Sequence, residues 1–411
     1  MVEVVYERAC GLDIHKQTVV ACLLVPGPNN ASHKEIRTFG TMTGELLQLA
    51  DWLTAAGCTH VAMESTGVYW KPIYNLLEGS FTLLLVNARH IKQVPGRKTD
   101  VRDCEWIADL LRHGLLRASF VPDRPQRELR ELTRYRTSLI RERAAEVNRV
   151  QKTLEGANIK LGSVATDVLG VSGRQMLAAL VAGSSDPAAL AELAKGKLRD
   201  KLPQLERALT GRVGAHQRFL LAQQLAHLDA LDELIERVST EVTERLRPFE
   251  AALARLDTIP GVGLRTAETL VAEIGTDLGR FPTAAHLASW AGMCPGNDES
   301  AGKRRSGKTR KGDPWLRSAL IEAAQAAGRT RATYLAAQFH RLAIRRGKKK
   351  ALVAVGHSIL VIAYHLLTED TDYHDLGPIF FDQRDEQRVT RRLVTRLQSL
   401  GYTVQLDRPA A

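Results

Sequence analysis

Between residues 8 and 87 the chain carries five short runs that read as strands, and the order in which helices interrupt them constrains the fold most. RACGLDI and TVVACLLV, separated by HKQ, read as two strands over residues 8–25, and residues 34–39 give a third. The segment TGELLQLADWLTAAG places Leu46, Leu49 and Leu53 on one side of a helix, with Gly57 past its end. HVAME then reads as a strand, YWKPIYNLLEG as a helix and FTLLLVN as a buried strand. TDVRDCEWIADLLRHG predicts a helix with Thr99 as N-cap and Gly114 as C-cap. Three strands in succession, then strands alternating with helices, predict a mixed α/β sheet flanked by helices.

The pattern changes at residue 126. Leu129, Leu132, Leu139, Ala144, Val147, Val150 and Leu154 recur mostly at three- and four-residue steps among many Arg and Glu, which predicts one long amphipathic helix over 126–156. Residues 163–212 read as a smaller helical insert broken by GSSDPAAL. Leu221, Leu225, Leu228, Leu231, Ile235, Val238, Val242 and Leu246 follow near-heptad steps. The two long helices suit an antiparallel hairpin or a dimerising coiled coil. A new unit begins at LDTIPGVGLRTAETLVAEIG, and residues 282–328 read as mostly helical around a Gly/Lys/Arg loop. A basic stretch, an apolar helix (LVAVGHSILVIAYHLL) and a charged tail complete the chain. The expected division is 8–122, a helical region 123–250, a domain 251–345 and a helical extension with tail 346–411.

Charge narrows the partners. The formal charge is +11 over 411 residues, which favours nucleic acid first and a membrane surface second. No run of eighteen apolar residues predicts a membrane span, and the acidic start MVEVVYERACGLDIHK does not read as a signal peptide. The cysteines at 10, 22, 58, 104 and 294 are odd in number, scattered and without a CxxC pair. They argue against a disulfide framework or zinc site and fit a reducing cytoplasm.

Four carboxylates carry the chemistry. Asp13 ends the first strand, Glu64 ends the fourth, and Asp100 and Asp103 lie three apart on one side of a helix. Four converging acids repel one another unless cations neutralise them. Mg²⁺ prefers such hard oxygen donors, and two ions about 4 Å apart can clamp the attacking and leaving oxygens of a phosphodiester. Metal-assisted phosphoryl transfer is the expectation; taken singly, each acid also suits a turn or a helix cap.

The order strand-Asp, strand-Glu, helix-Asp-x-x-Asp resembles the RuvC-like branch of the ribonuclease H-like fold. The words GLDIHK, AMESTGVYWKP, VNARHIKQVPGRKTDVRD and WIADLLRHGLL resemble those of the DEDD-type insertion-sequence transposases, the bridge-RNA-guided recombinases. The resemblance covers nearly the whole chain. It implies that Asp13, Glu64, Asp100 and Asp103 bind Mg²⁺, with Mn²⁺ as a possible substitute. It also implies a bacterial or archaeal protein that cuts and rejoins donor and target DNA. A structured guide RNA and a tetramer built from dimers belong to the same implication.

The C-terminal half supplies nucleic-acid candidates. PGVG reads as a helix-hairpin-helix-like turn in which Gly261 and Gly263 let the backbone approach a phosphate. ESAGKRRSGKTRKGDPWLR reads as a basic loop with Lys303, Arg304, Arg305, Lys308, Arg310 and Lys311 set for phosphate contact. Lys98, in GRKTD, joins them. The resemblance places the nucleophilic serine, which forms a covalent 5′-phosphoserine, at Ser300; Ser306 is the rival in RRSGK. His15, Tyr69, Trp70 and His357 read as turn or packing residues, and RRGKKK at 345–350 as a second phosphate-binding candidate. Two other functions fit the same residues: a junction-resolving nuclease without a covalent intermediate, and a non-catalytic nucleic-acid-binding protein.

Overall fold

The structure is a computed structural model that describes residues 3–27, 32–65, 67–88, 91, 103–296, 298–384 and 386–406. The chain forms two compact units, Met1–Asp123 and Arg124–Ala411.

In the first unit, β1 (Ala9–Ile14), β2 (Thr18–Pro26) and β3 (Ser32–Gly40) form an antiparallel meander. Helix α1 (Thr43–Ala55) leads to β4 (His60–Glu64), and α2 (Trp70–Leu77) leads to β5 (Thr82–Val86). Both β4 and β5 join in parallel, so the five-stranded mixed sheet has the order β3-β2-β1-β4-β5. This is the α/β sheet the sequence predicts. Helix α3 (Asp103–Arg112) covers its other side.

Alternation along the strands decides which residue meets which layer. Cys10, Leu12 and Ile14 point with Val61 and Met63 into the core built by Leu46, Leu49 and Leu53 of α1 and Ile73 and Leu77 of α2. Ala9, Ala62 and Val86 face the opposite way, onto Ile107, Leu110 and Leu111 of α3. Cys22 and Leu24 meet Cys104 and Ala108 of the same helix. Gly11 lies on this second side, and a Cβ there would stand 2.3 Å from the Cys104 carbonyl oxygen and 2.4 Å from the Ala108 nitrogen. Only glycine lets α3 lie so close to β1. Gly114 just beyond α3 adopts a φ of +66°, as expected of a C-cap, whereas Thr99 lies outside the described residues.

All five cysteines are free thiols, and four of them are buried. Burial pushes the Cys22 and Cys58 thiols up to about 12, so both stay protonated at neutral pH.

The second unit begins with α4 (Arg124–Gly156), the predicted long helix. Helices α5 (Val171–Val181), α6 (Pro187–Glu192) and α7 (Leu202–Leu209) form the insert, and α8 (Ala215–Leu246) returns along α4. The two long helices are antiparallel within one chain: Arg143 pairs with Asp232, Arg245 with Glu128, and the Gln224 amide donates to Thr153. Their seam buries Leu139, Leu231 and Ile235. The predicted apolar stripe departs in two places: Thr133 and Arg136 are buried between Leu129 and Leu139, and Ala144 is exposed while Glu146 is buried and pairs with Arg149. The insert packs Met176, Leu177, Leu180 and Leu205 onto Val150, Leu154, Leu221 and Leu228 at the far end of the pair.

Then follow α9 (Glu250–Asp257), α10 (Leu264–Ile274), α11 (Ala284–Trp290), α12 (Pro314–Ala327), α13 (Tyr334–Arg346) and α14 (Lys348–Glu369). Among the described helices α14 alone is long and apolar enough to cross a membrane. It packs against α9, α11, α12 and α13, with Val355, Ile359, Leu360 and Ala363 buried. The last helix, α15 (Glu386–Ser399), buries no residue.

Replacing Gly11 with Ala forces α3 away from β1. A loss of about 1–3 kcal/mol is expected for such overpacking, read as a lower urea midpoint; an unchanged midpoint would contradict the close approach.

Candidate active site and nucleic-acid interface

The sheet register sets the first candidate site. In the parallel pair β1–β4, Leu12 stands beside Met63, so the next residues are Asp13, one before the end of β1, and Glu64, the last of β4, on neighbouring strands. Both alternate onto the α3 side, because Leu12 and Met63 point into the opposite core. Helix α3 runs against β1: its last carbonyl, Arg112 O, accepts from the Val5 and Tyr6 amides, while Cys104 lies over Gly11. Its first residue, Asp103, therefore lies toward the strand ends that carry Asp13 and Glu64. Asp13 is partly exposed and has His15 Nε2 at 3.3 Å from its Oδ2. His15 itself begins the β1–β2 turn, donating its amide to Thr18 O at 2.9 Å. Trp70 packs edge-on against Tyr74, as expected of a core residue, whereas Tyr69 is exposed.

Asp100 and Lys98 lie outside the described residues. Among the described residues no cluster of three or more His, Cys, Asp or Glu side chains forms a metal site. The three described acids thus share one corner of the sheet without closing around a common point.

The second region is built around α9 and α10. The turn between them follows from two glycines with different duties. Gly261 has a φ of +88°, and a Cβ there would stand 2.4 Å from both Ala323 O and Ala327 N of α12. It is a glycine for backbone conformation and for packing. Gly263 is exposed, caps α10 with extended backbone and has nothing beside it within 4 Å. The open N-terminal end of α10 is thus at Gly263.

The basic segment is more ordered than the predicted loop. Strands β6 (Asp298–Ser300) and β7 (Lys303–Ser306) form an antiparallel hairpin. Its tip, Ala301-Gly302, has φ values of +50° and +73°, the left-handed pair that a two-residue hairpin turn demands. Pairing continues below the strands, where Gly296 donates to Lys308 O at 2.9 Å and Pro295 bridges Thr309. At the base Gly312 meets Gly292, and a Cβ on Gly312 would stand 2.4 Å from the Gly292 nitrogen. Glycine at 312 is here a means of bringing two backbones together.

Ser300 ends β6, directly before the tip; of Ser300, Arg304 and Arg305 the backbone is described. Lys303, Lys308, Arg310 and Lys311 are exposed. Ser306 accepts the Lys308 amide on its Oγ at 3.1 Å, so the rival serine's hydroxyl oxygen takes part in a local turn. RRGKKK spans the junction of α13 and α14 at Gly347, with its three lysines opening α14. His357 is half-buried, and burial lowers its pKa, consistent with a core histidine.

Sequence reasoning missed the polar network beneath the hairpin. Glu273 of α10 is fully buried, and Arg134 of α4 donates to both its oxygens at 2.7 Å. The Arg134 Nη2 also donates to Asp313 Oδ2 at 2.8 Å. Asp313 in turn caps α12, accepting from the Trp315 and Leu316 amides at 2.8 and 2.9 Å. Arg130 and Gln126 donate to the Ala272 carbonyl, both at 3.1 Å, which satisfies the end of α10. Arg136 and Glu268, both buried, approach to 2.6 Å. Burial pushes the Glu273 carboxyl up, against the pull of Arg134. Burial alone would lower Arg134, but its bonds to Glu273 outweigh that and raise it. The sequence held a signal: the stripe on α4 skips from Leu132 to Leu139, and Arg136 falls in the gap.

Comparison with known proteins matches the same two regions. A profile of DEDD-type IS110 transposases matches residues 10–159, and one described as "Transposase IS116/IS110/IS902 family" matches residues 253–341. The chain belongs to this family of transposases. A probable family 20 transposase of Pseudomonas aeruginosa is 27% identical over 76% of this chain and 85% of its own length. The 43.6 kDa protein of insertion element IS110 from Streptomyces coelicolor is 28% identical over 69% of this chain and 74% of its own. The 44.8 kDa protein of insertion element IS116 from Streptomyces clavuligerus is 32% identical over 55% and 62%. This transposase is therefore a DNA transposition enzyme, and its substrate class is DNA. The first match runs past residue 123 into α4, the helix that carries Arg130 and Arg134.

Arg134→Ala leaves Glu273 buried without its bidentate partner and Asp313 without its guanidinium. Such a loss costs about 3–5 kcal/mol and is expected to lower the thermal midpoint of the second unit. Arg143→Ala, at a half-exposed pair, should move it by far less, and equal shifts would refute the ranking.

Proposed function

We propose that this transposase cuts and rejoins donor and target DNA through a covalent 5′-phosphoserine on Ser300, with Asp13, Glu64, Asp100 and Asp103 as the metal-holding acids of a RuvC-like, ribonuclease H-like domain. The observation that supports the reading is the register of β1 with β4, which sets Asp13 beside Glu64 on the side that α3 covers. All four donors are carboxylate oxygens, a hard set that suits Mg²⁺, with Mn²⁺ as a substitute. Bound there, the ions would offset the charge of the scissile phosphate and favour the ionised forms of the attacking and leaving oxygens.

The chain's own residues then divide the work. The acids fix the phosphate's position. Ser300, the last residue of β6 before the hairpin tip, supplies the nucleophile. Its Oγ–phosphorus bond forms as the bond from phosphorus to the 3′-oxygen breaks, and the hydroxyl proton ends on that departing oxygen. In rejoining, the 3′-hydroxyl of a second strand attacks the phosphoserine. The new oxygen–phosphorus bond forms, the Oγ–phosphorus bond breaks, and the proton returns to Ser300. Lys303, Lys308, Arg310 and Lys311, with Arg304, Arg305 and Lys98, bind backbone phosphates, and the end of α10 at Gly263 offers amides to another. A structured guide RNA and a tetramer built from dimers, in which the acids of one copy act with the serine of another, belong to the same proposal. The net charge of +11 supports a nucleic-acid partner and does not select RNA over DNA.

The test is adduct trapping. Protein, flanking RNA of its element and labelled DNA are incubated with Mg²⁺, denatured and separated on a gel. A covalent adduct is expected, with loss in both Ser300→Ala and Asp13→Asn. Cleaved DNA without adduct, unaffected by Ser300→Ala, would mean hydrolysis of the junction-resolving kind. Activity intact in Asp13→Asn would remove the acids from the mechanism.

A further inference from the structure

A cavity of about 250 Å³ opens between α4, α10 and α12 in the second unit. Its deep end is closed by Arg136 and Glu273, both buried, and its outer part is lined by Arg141, Arg265 and Trp315. The arginines of the lining fall into two kinds. Arg134 and Arg136 are neutralised by Glu273, Asp313 and Glu268. Arg141 and Arg265 have no carboxylate within ion-pair distance among the described residues, although the other arginines that tie α4 to neighbouring helices all do.

Arg141 is nevertheless held in place. Its Nη2 donates to Ser318 Oγ at 3.1 Å, and its guanidinium lies 5.0 Å from the centre of the Trp315 ring. A stacked guanidinium keeps its charge and its remaining donors while losing freedom. Arg265 and Thr266 stand in the first turn of α10, where backbone amides and the helix dipole also favour an anion. Glu322 is the one acid of the lining besides Glu273, so the lining carries four arginines against two glutamates.

We propose that this cavity binds one phosphodiester of an unpaired nucleic-acid strand, with Arg141 and Arg265 on the phosphate and Trp315 walling the adjoining sugar or base. The space is below the roughly 300 Å³ at which drug-sized sites begin, so it suits a single phosphate and its neighbour. A strand free of its complement can enter it. A backbone held in a duplex stays outside it and is carried by the exposed lysines and arginines of the basic segment instead. The inference rests on the DNA-handling role proposed above and deepens it by placing one strand on the floor beneath the hairpin.

The test is binding, without cleavage. Fluorescence anisotropy is measured for the full chain with a short labelled single-stranded DNA, the same sequence as RNA, and a blunt DNA duplex. The double variant Arg141→Ala/Arg265→Ala is expected to bind the single strand about tenfold more weakly, with the salt slope reduced by about 1 to 2. Duplex binding should change less than about twofold. The exposed Arg237→Ala serves as control. The sugar that suffers the loss identifies the strand as DNA or RNA. Unchanged single-strand affinity, or an equal loss on the duplex, would overturn the proposal. The readout involves no strand cleavage, so a failed adduct assay and a failed cavity are separate results.

Discussion

Arg134 holds the second unit's working surface together. One guanidinium spans Glu273 near the end of α10 and Asp313 at the start of α12, and therefore sets the base of the hairpin against the helix that follows PGVG. Asp313 can accept from Arg134 and from two amides of α12 because a carboxylate offers several lone pairs. The geometry is bidentate and buried, the arrangement in which an ion pair constrains direction as well as distance. Such a pair offers little net stability over an apolar packing, so its contribution lies in fixing orientation. The hairpin tip with Ser300 inherits its position from that fixed base.

The first unit reaches its geometry by different means. Here alternation and one glycine suffice. Because Leu12 and Met63 must enter the core under α1 and α2, Asp13 and Glu64 must emerge on the other side, next to each other. Because Gly11 has no side chain, α3 lies flat on β1 and its leading residue, Asp103, is carried toward the same edge. Three acids separated by up to 90 positions in sequence are thus positioned by apolar packing.

Much of this was legible from the residues. The five strands, α1 and the two long helices follow from periodicity, and the acids stood out because Asp13 and Glu64 lie at or next to strand ends while Asp100 and Asp103 share one side of the predicted helix. The hairpin at 298–306 did not stand out. Its strands are short and charged, and Ala301 gives no hint that it adopts a left-handed φ. The central place of α14 was equally hidden, because an apolar helix near the end of a chain looks the same whether it caps a domain or fills it. The arginines of the polar network were hard to read for another reason, the gap at Arg136 being their one trace. Arg130, Arg134 and Arg136 look like the solvated face of an amphipathic helix until the carboxylates of α10, well over a hundred residues later, are placed against them.

The antiparallel pair α4–α8 has a consequence for how such a protein can change over time. A helix of 33 residues extends about 50 Å. Arg134 sits near one end, and Val150 and Leu154, on which the insert of α5 to α7 packs, sit near the other. Roughly 30 Å of regular helix separates them. The insert has a core of its own and needs only the apolar tip of the pair as a footing. Lineages can therefore enlarge, trim or exchange it by recombination at the two ends of that tip, and the orientation of α10 and the hairpin would not register the difference.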